Sequence, residues 1–156
     1  MNQFGNQNKY EKPISEFTDK VVEIKRVSKK TKGGNQIHFT ALVVTGDKKS
    51  RVGVGLGKAK SVADAIQKAI QKARKSMIEV KIVDGTIKDS IQLKFKGAIV
   101  LLRPGKKGSG LIAGGPVRSV VELAGIKDIV SKIIGSKTKS LNVWATLKAL
   151  TIMNQK

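Results

Sequence analysis

Lysine residues recur at helical spacing between residues 58 and 77, and the chemistry that they suggest is phosphate binding. Lys68, Lys72 and Lys75 share one side of a predicted helix. The opposite side is apolar and consists of Val62, Ile66, Ala69, Ile70, Ala73 and Met77. Lys58 and Lys60 precede the helix, whose first backbone N–H groups also attract anions. The spacing predicts a positively charged ridge, although a solvated helix face would show the same pattern.

The composition of the chain favours the phosphate interpretation. Its 156 residues include 31 Lys and Arg against 11 Asp and Glu, a formal net charge of +20. Such an excess repels itself unless a polyanion is present, so a nucleic acid is the expected partner. Lys outnumbers Arg, and aromatic residues make up only 4%. We therefore expect recognition of phosphates and of RNA or DNA shape, rather than readout of base sequence or stacking on bases.

Other classes of protein are disfavoured by the residues present. No apolar run approaches the roughly 20 residues of a membrane-spanning helix, and no signal peptide is recognisable, so no membrane partner is expected. The absence of cysteine is typical of a reducing compartment and removes thiolate metal ligands. His38 is the single histidine and lies in an alternating, strand-like stretch. No metal site and no cofactor is predicted.

The glycine-rich segments do not support catalysis. Residues 53–57, Gly-Val-Gly-Leu-Gly, lack dinucleotide-loop spacing and are typical of a strand that another backbone approaches closely. Residues 108–113 match G-x-G-x-x-A, but the next helix is predicted to start later, at Pro116, and no acidic residue ends the following strand. The carboxylates are scattered, without a pair for acid–base chemistry. We predict no catalytic residue and no enzymatic activity.

Hydrophobic periodicity predicts a β-β-β-α domain over residues 17–80, preceded by a flexible tail at 1–16. Two strands, Lys20–Thr31 and Gln36–Thr45, flank a hairpin turn at residues 33–35, because glycine and asparagine tolerate the positive φ of tight turns. A third strand at Arg51–Gly57 leads to a helix over Ser61–Met77, with Ser61 as its predicted N-cap.

A second mixture of strands and helices follows a predicted linker at residues 81–88. Residues 89–153 are predicted to form strands at Ile91–Lys96 and Ala98–Arg103, a long loop at Pro104–Gly115, a helix from Pro116 to Gly125, a strand at Asp128–Ile134 and a helix at Ser140–Met153. Residues 154–156 are predicted to be a short tail. The order β-β-α-β-α predicts a C-terminal α/β domain, and the whole chain an α+β protein.

Three segments of the chain resemble the bacterial-type ribosomal small-subunit protein S-five family. They are VSKKTKGGNQIHFTALVVTGDKKSRVGVGLGKAKSVADAIQKAIQKA from residue 27, GSGLIAGGPVRSVVELAGIKD from residue 108, and GS with NVWATLKAL between residues 135 and 150. They follow the family's order and spacing across roughly residues 17–152. The resemblance implies an N-terminal double-stranded-RNA-binding-like domain and a C-terminal domain of the S-five domain-two type. It also implies a structural, non-catalytic constituent of the small subunit, in the cytoplasmic ribosome.

The resemblance further implies a role for the hairpin and for other basic positions. The family's hairpin loop contacts rRNA near the head–body junction, close to the spectinomycin site, and thereby stabilises the head relative to the body. The implied rRNA-binding residues are Arg26, Lys29, Lys30, Lys32, Gly33, Gly34, Gln36, Arg51, Lys58 and Lys60. The helix lysines Lys68, Lys72 and Lys75 join this set through their spacing.

Protein contacts are implied for the second domain. Gly108, Ser109, Gly110 and Arg118 match family positions that face protein S-four, at an interface linked to translational accuracy. Protein S-eight and the mRNA entry path are the other expected neighbours. The sequence departs from the family at Lys137-Thr138-Lys139, where relatives often carry Asn-Pro, and at Trp144, where many carry a basic residue.

Two other function classes remain as alternatives. A free-standing double-stranded-RNA binder, acting as a regulator or chaperone, would need no second domain built for protein contacts. An enzyme would have to bind a nucleotide, for which the glycine-rich segments lack the required context.

Overall fold

The computed structural model describes residues 16–155, so the predicted tail before Glu16 and the last residue, Lys156, lie outside the described residues. Along the chain the elements are β1 (Thr18–Thr31), β2 (Gly34–Gly46), β3 (Arg51–Ala59), α1 (Val62–Lys75), β4 (Ile78–Glu79), β5 (Ile91–Phe95), β6 (Ala98–Pro104), β7 (Leu111–Ile112), α2 (Gly115–Ala124), β8 (Ile129–Gly135) and α3 (Lys139–Asn154).

β1 and β2 form a long antiparallel hairpin that projects beyond the rest of the first sheet. Thr31 pairs with Gly34, and the Thr31 hydroxyl donates a hydrogen bond to the Gly34 carbonyl oxygen at 2.8 Å. β3 pairs with β2 only as far as Phe39, which lies opposite Ala59. The residues of β2 before Phe39 therefore extend about 16 Å past β3, at roughly 3.3 Å per residue.

α1 lies against one face of this sheet and approaches β3 very closely. A Cβ atom added at Gly53, Gly55 or Gly57 would lie 2.0–2.2 Å from a backbone carbonyl oxygen of α1. These oxygens belong to Ala73, Ala69 and Ala65, whose side chains are fully buried. The buried side of α1 is thus centred on alanines, while the larger residues of the predicted apolar side, such as Ile66 and Ile70, are half-buried.

The opposite face of the first sheet packs on the second domain. Leu42, Val44, Val52 and Val54 alternate with the residues that face α1, and each is at most 2% exposed. They share one hydrophobic cluster with residues of α2 and α3. Full burial of such a side chain contributes about 1.5–3 kcal/mol. One continuous core therefore joins the two halves of the chain.

The second sheet has the strand order β5-β6-β8-β7 and is antiparallel except for the β7–β8 pair. Its inner face carries Ala98, Val100, Leu102 and Ile129, all fully buried beneath the helices. The predicted α+β class and the order of the two domains are confirmed.

Two short strands differ from the prediction. Leu111 and Ile112 lie within the predicted loop Pro104–Gly115, but they form β7 and pair in parallel with Ile129 and Val130. β4 adds an unpredicted fourth strand to the first sheet, through pairing of Ile78 with Val52. A two-residue strand shows no periodicity, so neither could be recognised from the sequence pattern.

Candidate nucleic-acid interface

The tip of the β1–β2 hairpin is a ribbon of exposed basic residues. Lys29 pairs with Gln36 and Lys30 with Asn35, while Lys32 and Gly33 form the turn before Gly34. Because side chains alternate along a strand, Arg26 and Lys30 lie on one face of the ribbon and Lys29 on the other. Residues 24–38 contain no carboxylate. The ribbon therefore presents positive charge on both faces.

Lys58 lies apart from the ridge that the lysine spacing predicted. On β3, Gly57 and Ala59 face α1, so Lys58 points to the opposite face of the sheet. There it shares a cross-strand row with Thr40 and Lys25. Lys25 was not among the predicted residues, and its Nζ lies 3.3 Å from Oε2 of Glu23.

The start of α1 offers fewer open N–H groups than the sequence suggested. Ser61 caps the helix as predicted, because its hydroxyl oxygen accepts a hydrogen bond from the Asp64 backbone N–H at 3.1 Å. Asp64 also places a carboxylate in the first turn, where it offsets the positive end of the helix dipole. Lys60 is exposed just before this cap. An anion here would have to compete with Asp64.

The three helix lysines are exposed but not equivalent. Lys72 donates a hydrogen bond from Nζ to the Leu56 carbonyl oxygen at 3.1 Å, so its side chain lies back over β3. Lys68 and Lys75 are farther around the helix from the buried alanines. The ridge therefore consists of Lys68 and Lys75, with Lys72 at its border.

Arg51 lies at the opposite end of the first sheet from the hairpin tip, where it pairs with Glu79. Its Nε is 2.9 Å from Oδ2 of Asp47, and its guanidinium lies 5.2 Å from the centre of the Phe17 ring. The structure thus separates Arg51 from the other predicted rRNA-binding residues. It already has intramolecular partners in both Asp47 and Phe17.

Asp47 organises the β2–β3 turn. One carboxylate oxygen, Oδ1, accepts hydrogen bonds from the backbone N–H groups of Lys49, Ser50 and Arg51 at 2.9–3.0 Å. Burial alone would raise the pKa of Asp47, but these bonds and the Arg51 side chain together hold that pKa well below its ordinary value. The sequence analysis did not single out Asp47. Its position at the start of an Asp-Lys-Lys-Ser turn was the available signal.

The residues expected to face protein S-four lie in the second domain. Gly108, Ser109 and Gly110 form the loop between β6 and β7, and a Cβ atom added at Gly108 or Gly110 would meet no atom within 4 Å. The Gly110 N–H donates to Oδ1 of Asp128 at 2.7 Å, which anchors the loop beside the start of β8. Arg118 is exposed in the first turn of α2. β7 separates it from the loop along the chain.

We also searched the described residues for a metal site and for a membrane-spanning helix. In residues 16–155, no group of three or more His, Cys, Asp and Glu side chains could hold a metal ion. None of the helices in this part of the chain is long and apolar enough to cross a membrane.

Known proteins match both halves of the chain. Residues 17–81 match the family described as "Ribosomal protein S5, N-terminal domain", and residues 93–156 match "Ribosomal protein S5, C-terminal domain". A "Small ribosomal subunit protein uS5" of Campylobacter jejuni is 49% identical over 138 residues, which is 88% of this chain and 94% of the relative. The protein of the same name from Treponema pallidum is 47% identical over 135 residues, 86% of this chain and 78% of the relative. The two family matches and these identities show that the chain belongs to the ribosomal protein S5 family.

Proposed function

We propose that this protein binds small-subunit rRNA mainly through the tip of its β1–β2 hairpin, with α1 as a second contact. Membership of the family makes the protein a non-catalytic structural constituent of the small subunit, associated with rRNA in the cytoplasmic ribosome. We also propose that residues 17–80 and 89–153 are the two domains, joined by residues 81–88.

The observation that carries the proposal is a projecting ribbon with cations on both faces and no carboxylate in residues 24–38. Phosphates flank such a ribbon on both sides when it lies in a groove or between two RNA segments. Lys29, Lys30 and Lys32 would each neutralise a phosphate as a point charge. The glycine turn at Gly33 and Gly34 carries no side chain that would hold the backbone away from RNA.

The helix lysines extend this surface. Lys68 and Lys75 add positive charge on the solvent side of α1, and Lys58 adds it on the other face of the sheet, where Lys25 is already paired with Glu23. Arg51 is the weakest member of the predicted set, because a phosphate would have to replace Asp47 as its partner.

Salt dependence of binding tests this assignment. The full chain would be titrated with small-subunit rRNA at several KCl concentrations, together with the variant Lys29→Gln/Lys30→Gln/Lys32→Gln. Counterion release contributes about 0.7–0.9 to the steepness of log affinity against log salt for each phosphate that a lysine neutralises. We therefore expect the plot for the variant to be shallower by roughly 2–3.

A matched control removes the same charge elsewhere. Lys106→Gln/Lys107→Gln/Lys127→Gln changes three exposed lysines of the second domain. This variant should reduce the slope of the plot much less than the hairpin variant does. Equal changes in the two variants would mean that net charge, not the hairpin, determines binding.

We further propose that the hairpin stabilises the head relative to the body, and that the protein adjoins proteins S-four and S-eight and the mRNA entry path. The family resemblance supports these neighbours. Arg118 supports the S-four contact physically, because a cation in the first turn of a helix opposes the helix dipole and gains from an external acidic partner.

A stop-codon readthrough reporter in cells carrying Arg118→Leu tests the contact with S-four. Removal of a paired interface charge loosens the interface, so misreading should rise while subunits still assemble. Lys88→Leu, at another exposed cation, is the control. Normal readthrough combined with poor assembly would instead assign Arg118 to an rRNA contact.

A further inference from the structure

The segment that joins the two domains folds back on itself in a tight turn. Val83 and Thr86 exchange two backbone hydrogen bonds, each 2.9 Å long. Between them, Asp84 and Gly85 have φ values of 50° and 79°. Positive φ at both central positions is what a type I′ hairpin turn requires, and the dipeptide Asp-Gly meets that requirement. The segment therefore has a defined backbone conformation of its own.

The apolar side chains on either side of this turn are buried. Val80 is 3% exposed and Ile87 is 1% exposed. Both belong to the hydrophobic cluster that also contains residues of α2 and α3. A segment with buried apolar contacts opens less readily than a solvated loop does. The join between the two domains is thus part of their shared core.

Asn154, the last residue of α3, holds the first end of the segment. Its Oδ1 accepts a hydrogen bond from the Lys81 backbone N–H at 2.9 Å, and its Nδ2 donates to the Glu79 carbonyl oxygen. In an extended chain these two backbone groups point away from the side on which the Val80 N–H donates to the Ser50 carbonyl oxygen, at 2.8 Å. The amide of Asn154 therefore occupies the place of a neighbouring strand, along the backbone that continues β4.

The turn contacts the second domain through hydrogen bonds of its own. The Gly85 carbonyl oxygen accepts from the backbone N–H groups of Lys127 at 2.8 Å and Asp128 at 3.1 Å. The Thr86 hydroxyl oxygen accepts from the Gly105 N–H at 3.2 Å. Because Gly105 begins the loop between β6 and β7, the turn is bonded directly to the start of that loop.

The same turn reaches the other end of the loop through Asp128. Asp128 is only 7% exposed, and its Oδ1 accepts a hydrogen bond from the Gly110 N–H at 2.7 Å. The Gly110 carbonyl oxygen in turn accepts from the Ile129 N–H at 3.1 Å. A continuous path of hydrogen bonds therefore runs from the end of α3, through the joining segment, to both ends of the loop.

We propose that residues 79–87 form a rigid strut that fixes the loop 105–110 relative to the first sheet. Asn154 is the positioning residue that holds the strut in place. Any partner bound at the loop would then keep a constant position relative to the RNA-binding hairpin. The inference concerns how the two domains are held, so it goes beyond the proposed function, and its test requires neither RNA nor S-four.

Hydrogen exchange in the isolated full chain tests the strut. Asn154→Leu keeps a similar side-chain shape without donor or acceptor, so the Lys81 amide should exchange roughly tenfold faster. If the strut is rigid, the Asp128 and Gly110 amides should also exchange at least about twofold faster, the lower end of coupling through a packed network. Faster exchange at Lys81 alone would overturn the proposal, because the release of Asn154 would then have only a local effect.

A general loss of stability must be distinguished from this coupling. The Val43 amide, in the central strand of the first sheet, serves as the reference. Equal acceleration at Val43 and at Gly110 would overturn the proposal. Gln155→Leu, at the exposed next residue, is the matched control and should leave all of these rates unchanged. Equal acceleration by Gln155→Leu would remove the role of Asn154.

Thr86→Val tests the strut from its other end and keeps the proposal testable if Asn154→Leu does not fold. The substitution preserves the side-chain shape and removes the acceptor of the Gly105 N–H. Exchange should become faster at Gly105 and, through the strut, at Lys81 as well. An unchanged Lys81 amide in this variant would overturn the proposal.

Discussion

The two sheets of this protein are covered differently, and what each leaves bare differs in chemistry. The first sheet lies between α1 and the second domain at its base, and the projecting hairpin tip is free of both. The second sheet is covered on one face along its whole length. The bare tip is mainly basic, whereas the other face of the second sheet exposes Ile112, Val130 and Ile134.

The comparison shows that net charge alone does not identify the RNA-binding surface of a basic protein. Lys94 and Lys132 lie beside these aliphatic residues, but of the two regions only the hairpin carries more cations than apolar residues. Some cations already have intramolecular partners, as Arg51 has in Asp47 and Lys20 in Glu122. Position and neighbours decide which charges are available.

The largest loss of folding stability is expected from a substitution that disrupts the close packing of α1 on β3. In Gly57→Val, the added Cβ would lie 2.0 Å from the Ala65 carbonyl oxygen, so the helix must move away. We expect the free energy of unfolding to fall by about 3 kcal/mol or more, which overpacking against backbone can cost. Urea denaturation followed by circular dichroism measures it.

The control for this variant is Gly33→Ala in the hairpin turn, where an added Cβ meets no atom within 4 Å. Its free energy of unfolding should stay within about 0.5 kcal/mol of the natural chain. Similar reductions in the two variants would show that packing constrains the hairpin tip as strongly as the base of the sheet, which would contradict a freely exposed tip.

The hairpin and the glycine-alternating strand could be predicted from the sequence because each depends on local rules. Gly33 and Gly34 indicate a turn, and alternate glycines at positions 53–57 indicate close approach of another backbone. The same alternation places Lys58 on the face away from α1. The predicted ridge included Lys58 because it is close to the helix along the chain, and this alternation was not taken into account.

The tertiary contacts could not be predicted in this way. Leu42 and Val54 belong to strands that are buried on both faces at the base, and no local pattern states what covers the second face. Asp47 is an ordinary turn residue in the sequence, and its pairing with Arg51 depends on the turn geometry. β4 and β7 are too short to show a period.

A smaller loss of folding stability is expected from removing the Asp47 side chain at the base of the first sheet. Asp47→Ala removes the acceptor of three backbone N–H groups and the partner of Arg51, so we expect the free energy of unfolding to fall by about 2 kcal/mol. Asp89→Ala, at an exposed carboxylate, is the control. A reduction of the same size in both variants would remove the special role of Asp47.

The contribution of Asp47 should also depend on pH. Because folding lowers the pKa of Asp47, its stabilisation is complete above the ordinary pKa of 3.8 and is lost as the pH falls toward the lower pKa of the folded state. The difference in unfolding free energy between the natural chain and Asp47→Ala should therefore shrink below about pH 4. A difference that stays constant down to about pH 2 would contradict the lowered pKa.

The smallest effect is expected from the ion pair that links the two domains. Lys20 Nζ lies 2.8 Å from Oε2 of Glu122, and this hydrogen bond lowers the pKa of the Glu122 carboxyl group. Both side chains are more than two-fifths exposed, so Glu122→Gln should cost only about 0.2–1 kcal/mol. This cost should disappear in about 1 M salt. Urea denaturation at low and high salt measures both values.

The shared core has a consequence for synthesis of the chain. Leu42, Val44, Val52 and Val54 leave the ribosome long before α3, which supplies Leu150 to the same cluster. At roughly 5–20 residues per second, the chain between Val54 and Leu150 takes about 5–20 s to make. During that interval the nascent first sheet can close on α1 but still exposes an aliphatic face. Until its last helix is complete, a new copy of this ribosomal protein therefore exposes apolar surface of the kind that nascent-chain chaperones bind.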